Sequence, residues 1–458
     1  MSGADPMLAH ALPARPVAFY GDDFTGSTDV LDVVAKAGLS AVLFLAPPDR
    51  AMLARFPQAR VVGIAGVARS QTPAWMRAQL PAIYESLRAT GAALLHYKVC
   101  STFDSAPEIG SIGEAARIGL EHFPSRPVPI TVGAPALRRY VAFGNLFAGF
   151  GDERYRIDRH PVMARHPVTP MREADLRRHL AQQAGFSIGL VDKVDLATPD
   201  IRRTWRDIAG SDDAVLFDTV DENDLVVVGD ILHARILQAT ARGEPVFAVG
   251  SSGLEYALVA AWRAAGLLGT APAPRPIAPA DRVVAISGSC SPVTAAQIAQ
   301  ALQDGFTPVR LDPVALLSDN AAITRATDQA AAALAGGRDV LVYTADGPDT
   351  MIDLPPGTDG SAFNDRLGTV LGHLLRDLLA RSGVRRAIVA GGDTSSHAVQ
   401  QLGLHALTVA SPLVPGCPLC HGHSDDPALS GLEIALKGGQ MGQRDFFRRA
   451  KTGAASHA

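Results

Sequence analysis

Short apolar runs alternate with helical patterns along almost the whole chain, and one proline-dense stretch interrupts them. In the first half the runs are Ala41–Phe44, Val61–Ala65, Leu94–Lys98, Val128–Val132, Ala214–Asp218 and Val246–Val249, each bounded by turn residues. Helical patterns such as Pro73–Leu87, Arg172–Ala184 and Gly229–Ala241 lie between them. Parallel neighbours need long crossover connections, usually helices, so this alternation predicts parallel sheets with helices on their faces. The stretch Thr270–Pro279 holds too much proline to continue either element and reads as a stiff linker. Beyond it the grammar restarts, with strand Arg282–Ile286, helix Pro292–Leu302, and strands near Pro308–Leu311, Val340–Tyr343, Ala387–Ala390 and Ala406–Ala410. Pro292 suits a first helical turn, where its missing N–H is no loss. With 458 residues, 47% of them hydrophobic, the chain can bury two cores, since single cores stop growing at about 250–300 residues. The expectation is an α/β protein of two domains, 1–270 and 281–458, joined by a linker at 271–280. Each domain is expected to be a mainly parallel sheet flanked by helices.

Charge narrows the function. Charged residues make up 19% and the formal net charge is −4, which argues against a nucleic-acid partner, since such a protein usually carries a basic face. Met1–Pro16 has no apolar core of a signal peptide, and no window approaches the roughly 20 apolar residues of a membrane span. Cys100, Cys290, Cys417 and Cys420 are too scattered for a disulfide framework. A cytoplasmic enzyme acting on a small molecule, with no membrane partner, is expected. The polar tail Lys451–Ala458 is expected to be disordered.

The chemistry gathers at turns. Val17–Gly21 reads as a strand running into Asp22-Asp23-Phe24-Thr25-Gly26 and then a helix, capped by Thr25 or Ser27. Ligands of open α/β sheets bind beyond the carboxyl ends of strands, where Asp22 and Asp23 fall. Paired carboxylates there can orient a polyol, take a hydroxyl proton or hold a cation. Arg69 and Lys98 also fall at strand ends and could hold a carboxylate; the turn through Ser101 and the run from His166 to Met171 complete a candidate acid pocket.

In the second half three glycine-bearing turns, Ser287–Pro292, Ala390–Ser396 and Leu436–Gly442, could bring backbone N–H groups to a phosphate. No GxxxxGK[ST] motif and no clean GxGxxG with a following acidic residue occurs, which disfavours a P-loop kinase or a Rossmann dehydrogenase. Cys417-Pro-Leu-Cys420-His421 with His423 crowds into too short a run for a tetrahedral metal and is expected to be a loop with reduced thiols.

In order along the chain, Asp22–Gly26, Lys98 with Ser101-Thr102, His166–Met171, Gly250–Leu254, Ser287–Ser291, Gly391–Thr394 and Leu436–Gly439 together resemble the four-carbon acid sugar kinase family. The resemblance spans about Pro16 to Phe447. It implies a sugar-acid-binding N-terminal domain, an ATP-binding C-terminal domain and an active site in an interdomain cleft. It places ATP on Ser291, Gly391, Gly392, Asp393, Thr394 and Gly439, with Mg²⁺ bridging the phosphates. The substrate would meet Asp22, Asp23, Arg69, Lys98, Ser101 and His166, and a homodimer is compatible with it. Two departures stand out. Ser101-Thr-Phe-Asp-Ser105 stands where tetronate-acting members carry an STxRGN-like run, and Gly66-Val-Ala68 precedes Arg69-Ser70 where they tend to carry an acidic residue. Both resemble a branch acting on branched oxo-acid sugars such as 3-oxo-isoapionate. A metal-dependent hydrolase or aldolase and a non-catalytic sugar-acid clamp are the rival readings.

Overall fold

A computed structural model describes residues 12–166, 168–270, 273, 276–347, 350 and 360–453, apart from the side chains of 317, 318, 360, 361 and 393–395. Most of Met1–Pro16, most of the linker core at 271–275, the tail from 454 and the side chains of Asp393 and Thr394 therefore lie outside the described residues. The chain forms two compact units: Met1–Asp22, Val33–Ala41 and Pro47–Pro272 in the first, and Asp23–Asp32, Val42–Ala46 and Ala273–Ala458 in the second.

The first unit is built on a parallel sheet in the order Val61–Ala65, Val17–Gly21, Leu94–Lys98, Val246–Gly250, Val128–Thr131, Ala214–Phe217, Ile188–Val191. Its central strands are buried on both faces, which is why they read as continuous apolar runs. Helix Pro73–Ala89 shows why the covering elements form. Thr72 caps it by accepting from the Trp75 N–H, proline opens it, and Met76, Leu80, Ile83, Tyr84 and Leu87 recur on one buried face. Two expectations need correction. The pattern Arg172–Ala184 forms a helix only over Leu176–Ala181, because the Asp175 carboxylate accepts from the Arg177 N–H and starts it late. The pattern Gly229–Ala241 begins earlier, at Glu222, behind a reciprocal cap between Asp221 and Asp224. An antiparallel sheet of Arg139–Ala142, Asn145–Phe150 and Glu153–Arg156 interrupts the parallel grammar.

The second unit orders parallel strands Thr307–Arg310, Val340–Tyr343, Val284–Ser287, Arg386–Ala390 and Glu433–Lys437. The antiparallel Cys417–His423, Ala406–Val414 and Ala41–Phe44 follow. Cys417–His423 is thus a strand and not the expected loop. Backbone pairing on both edges decides this, with Cys420 opposite Val409 on one side and Ile434 on the other. A core of Val283, Ala285, Ile298, Leu341, Ile388, Leu419, Ala435, Phe446 and Phe447 sits between this sheet and its helices.

Candidate active site

In the first unit the strand order reverses around Val17–Gly21: the chain first adds Val61–Ala65 on one side of it and then crosses to add Leu94–Lys98 on the other. Such a switch point leaves a crevice beyond the carboxyl ends of the strands. Register puts Gly21 level with Ala65 and Lys98. The next residue, Asp22, then ties three elements together. Its N–H donates to the Lys98 carbonyl at 2.8 Å, and its own carbonyl accepts from the Arg69 N–H at 3.0 Å. Asp22 and Lys98 are buried, at 2% and 1% exposure. The segment carrying Arg69 is set by close packing, since a Cβ on Gly66 would lie 2.1 Å from the Tyr20 ring. Asp22, Arg69 and Lys98, all expected at strand ends, are therefore brought to one edge.

Arg69 does not stand alone there. Its Nη2 donates to Asp104 Oδ2 at 2.6 Å, and Asp104 also accepts from the hydroxyls of Thr102 at 2.5 Å and Thr169 at 3.0 Å. His166 joins through Thr169, whose N–H donates to His166 Nδ1 at 3.1 Å. Burial would raise the Asp104 carboxyl, but Arg69, the His166 ring and the two hydroxyls outweigh it and hold it far below the usual range. Ser101 lies half-buried in the turn leading to this network. Asp104 is the member that sequence reasoning missed as a site residue, because nothing local marks an acidic turn residue as buried.

A histidine supports the same turn. His179 lies 2.8 Å from the Ser105 hydroxyl and 3.0 Å from Gln183 Nε2, and burial draws its pKa from 6.5 to about 4. The folded state therefore prefers the neutral ring. That stabilisation is complete above about pH 6.5 and is lost as pH falls toward 4. It amounts to about 3 kcal/mol at 1.36 kcal/mol per pH unit. Melting curves across this window should show the loss in the native chain and a flatter profile in His179→Gln.

Asp23 opens the second unit's share of the chain. Its Oδ1 accepts from the Gly26 N–H at 2.6 Å, so Asp23 caps helix Phe24–Lys36. This corrects the expected cap at Thr25 or Ser27. Both lie inside the first turn, where a carboxylate one step earlier reaches the third amide and also suits the positive helix end.

The glycine turns of the second unit converge. Register aligns Ser287 with Ala390 and Ala390 with Lys437, so all three turns leave adjacent parallel strands at one level. The Gly391 N–H donates to the Lys437 carbonyl at 2.8 Å, and the Gly288 N–H to the Ala390 carbonyl at 3.3 Å. Gly391 has φ 117°, a conformation open to glycine, and it leads directly into helix Gly392–Gln400. Ser291 caps helix Pro292–Gln303 through the Val293 N–H. A Cβ on Gly439 would lie 3.3 Å from the Ser291 Cβ, which puts these two expected nucleotide contacts side by side. Among the described residues no group of three or more His, Cys, Asp or Glu could hold a metal ion. Cys417 and Cys420 are both buried in strand Cys417–His423, where burial pushes their thiols up. No helix among the described residues is long and apolar enough to cross a membrane.

One edge offers carboxylate and cationic side chains, the other convergent glycine turns and helix N-termini. Together they are the equipment of a small-molecule phosphotransferase. The chain belongs to the four-carbon acid sugar kinase family: residues 17–258 match its sugar-binding N-terminal domain and residues 284–447 its nucleotide-binding C-terminal domain. It is 47% identical to the 3-oxo-isoapionate kinase of Paraburkholderia graminis, over 99% of each chain. It is 30% identical to a 3-oxo-tetronate kinase of Pseudomonas savastanoi, covering 95% of this chain and 97% of that one. A solved Haemophilus influenzae protein shares the fold at 25% identity and a TM-score of 0.65, over 94% and 98% of the two chains. A Salmonella typhimurium protein at 23% identity and a TM-score of 0.73, over 95% and 98%, has the same fold.

Proposed function

We propose that this kinase transfers the γ-phosphoryl group of ATP to a hydroxyl of a small oxo sugar acid, with 3-oxo-isoapionate the preferred substrate and 3-oxo-tetronate the weaker one. The observation that carries the reading is the backbone of Asp22, which gathers Lys98 and Arg69 to one strand edge. Full-length identity to the Paraburkholderia graminis enzyme supports the choice of sugar acid. In this reading Arg69 and Lys98 hold the substrate carboxylate, with Ser101 and His166 lining the approach. Asp22 accepts the hydroxyl proton as the oxygen attacks γ-phosphorus and ADP leaves. Gly392 and Gly439 present N–H groups to the phosphates, beside Ser291, Gly391, Asp393 and Thr394. Such catalysis is mainly positioning and charge neutralisation.

A magnesium ion would be held mainly by the phosphates of the nucleotide, since among the described residues no group of three or more His, Cys, Asp or Glu could cage one. Mg²⁺ favours one or two carboxylates plus substrate phosphates over a protein cage. When bound it would neutralise charge on the phosphate oxygens.

The test is ATP consumption by purified protein over a panel of sugar acids. Turnover of 3-oxo-isoapionate with kcat/KM at least about ten-fold above 3-oxo-tetronate is expected, the size of effect a few pocket contacts supply. No ATP consumption with any acid in the panel overturns the reading.

A further inference from the structure

Lys437 ends strand Glu433–Lys437 and is wholly buried, yet among the described residues it has no ion pair with a carboxylate. Its Nζ instead donates to the Gly438 carbonyl at 2.8 Å, to the Thr294 hydroxyl at 3.0 Å and to the Gly439 carbonyl at 3.4 Å. Thr294, in the first turn of helix Pro292–Gln303, donates in turn to the Gly439 carbonyl at 2.9 Å. One turn further along that helix, Gln297 Nε2 reaches the carbonyls of Met441, Gly442 and Gln443 within 3.1 Å. The loop that carries Gly439 is thus stapled from below to the helix that Ser291 caps.

Peptide planarity gives this arrangement a direction. In a trans peptide the C=O and the following N–H point opposite ways. Drawing the Gly438 and Gly439 carbonyls onto Lys437 turns the N–H groups of Gly439 and Gln440 away from it. Neither N–H enters a backbone hydrogen bond among the described residues. Successive N–H groups aimed outward form a concavity for an anion.

We propose that Lys437 is the positioning residue of the nucleotide site: from beneath the Gly438–Gly439 turn its ammonium fixes the carbonyls inward, aims the Gly439 and Gln440 N–H groups at a phosphate, and adds buried positive charge under it. This deepens the kinase reading and rests on it. Among the described residues no carboxylate forms an ion pair with Lys437. Helix Pro292–Gln303 contributes the Thr294 hydroxyl, and helix Phe446–Thr452 contributes the Phe446 ring at 6.0 Å. Strand Cys417–His423 contributes the Cys417 thiol, which burial pushes up to about 12 and keeps neutral. Asp32 accepts from the Gly416 N–H at 3.1 Å and acts on Cys417. Burial draws the Lys437 ammonium itself down from 10.5 to about 7. A polyanion arriving above it favours the charged form, so nucleotide binding takes up a proton near neutral pH.

The experiment is calorimetric titration of the full chain with a non-hydrolysable Mg·ATP analogue at pH 7.5, in buffers of differing ionisation enthalpy. The native chain is expected to bind with net proton uptake. Lys437→Met should bind at least about ten-fold more weakly and lose that uptake, with KM for ATP raised more than that for the sugar acid. Thr294→Val keeps the charge and should weaken binding about three-fold while retaining the uptake, which tests the staple if Lys437→Met fails to fold. Unchanged affinity and uptake in Lys437→Met, or unchanged affinity in Thr294→Val where Lys437→Met is unfolded, overturns the inference alone. Absence of nucleotide binding by the native chain overturns the kinase reading with it.

Discussion

Replacing Asp22 by asparagine is expected to lower kcat by about 10²–10⁴-fold, the range a positioned general base supplies, with KM for ATP little changed. The substitution keeps the shape of the side chain and leaves the backbone bonds to Lys98 and Arg69 in place. What it removes is the charge that receives the hydroxyl proton. The same change at Asp23 should be far milder, at most about ten-fold in kcat, because asparagine can still accept from the Gly26 N–H and is as good a helix cap. Asp23 is committed to the start of helix Phe24–Lys36, which leaves Asp22 for chemistry. Steady-state kinetics of both variants with both substrates checks this. A reversed ranking moves the base to Asp23, and native turnover in both variants removes the acidic turn from the mechanism.

How much of this could be read from the chain depends on what each residue's signal is. The strands of the first unit were legible because burial on both faces demands unbroken apolar runs, and Val17–Gly21, Val61–Ala65 and Val246–Gly250 have them. Lys98 was legible for the complementary reason, since a charge that closes such a run must lie at a sheet edge, and Arg69 because it falls in the short turn that leaves Val61–Ala65. Lys437 obeys the same rule after Ile434-Ala-Leu436, and the signal was there to be used.

Other features had no local signature. The strand Ile188–Val191 borders only one neighbour and is half-exposed, so its run is weak. The hairpin turn through Phe143 and Gly144 is fixed from far away, where the Asp218 carboxylate accepts both N–H groups. Cys417–His423 has little strand propensity, with a proline and a glycine inside it, and pairing on both sides overrides that. Asp104 depends on Thr102 in its own turn and on two segments distant along the chain, those of Arg69 and Thr169, and the distant pairing alone reveals it.

That dependence makes Asp104 the second position where a small change should have a large effect. Its carboxylate, fully buried, is held by Arg69, Thr102 and Thr169. Arg69 keeps about a fifth of its side chain exposed, enough to meet a ligand while its other side is fixed. Asp104→Asn retains an acceptor for the threonines but gives up the ion pair, so the Arg69 guanidinium loses its fixed orientation. Substrate KM should rise about 10–100-fold with kcat nearly unchanged, the mark of lost uniform binding. Arg69→Ala should raise KM similarly, and it also leaves Asp104 buried without its cation, a defect that costs about 3–5 kcal/mol of stability. Because each change breaks the same pair, the double variant should bind little worse than either single one. The cycle should return a coupling of about 1.4–2.7 kcal/mol, the 10–100-fold effect counted once and within the range for residues in contact. Additive losses would mean that Arg69 grips the substrate without Asp104, and that the acidic residue here does not set which sugar acid the pocket accepts. A tightened KM in Asp104→Asn would assign Asp104 the opposite part, that of restraining Arg69 by neutralising it.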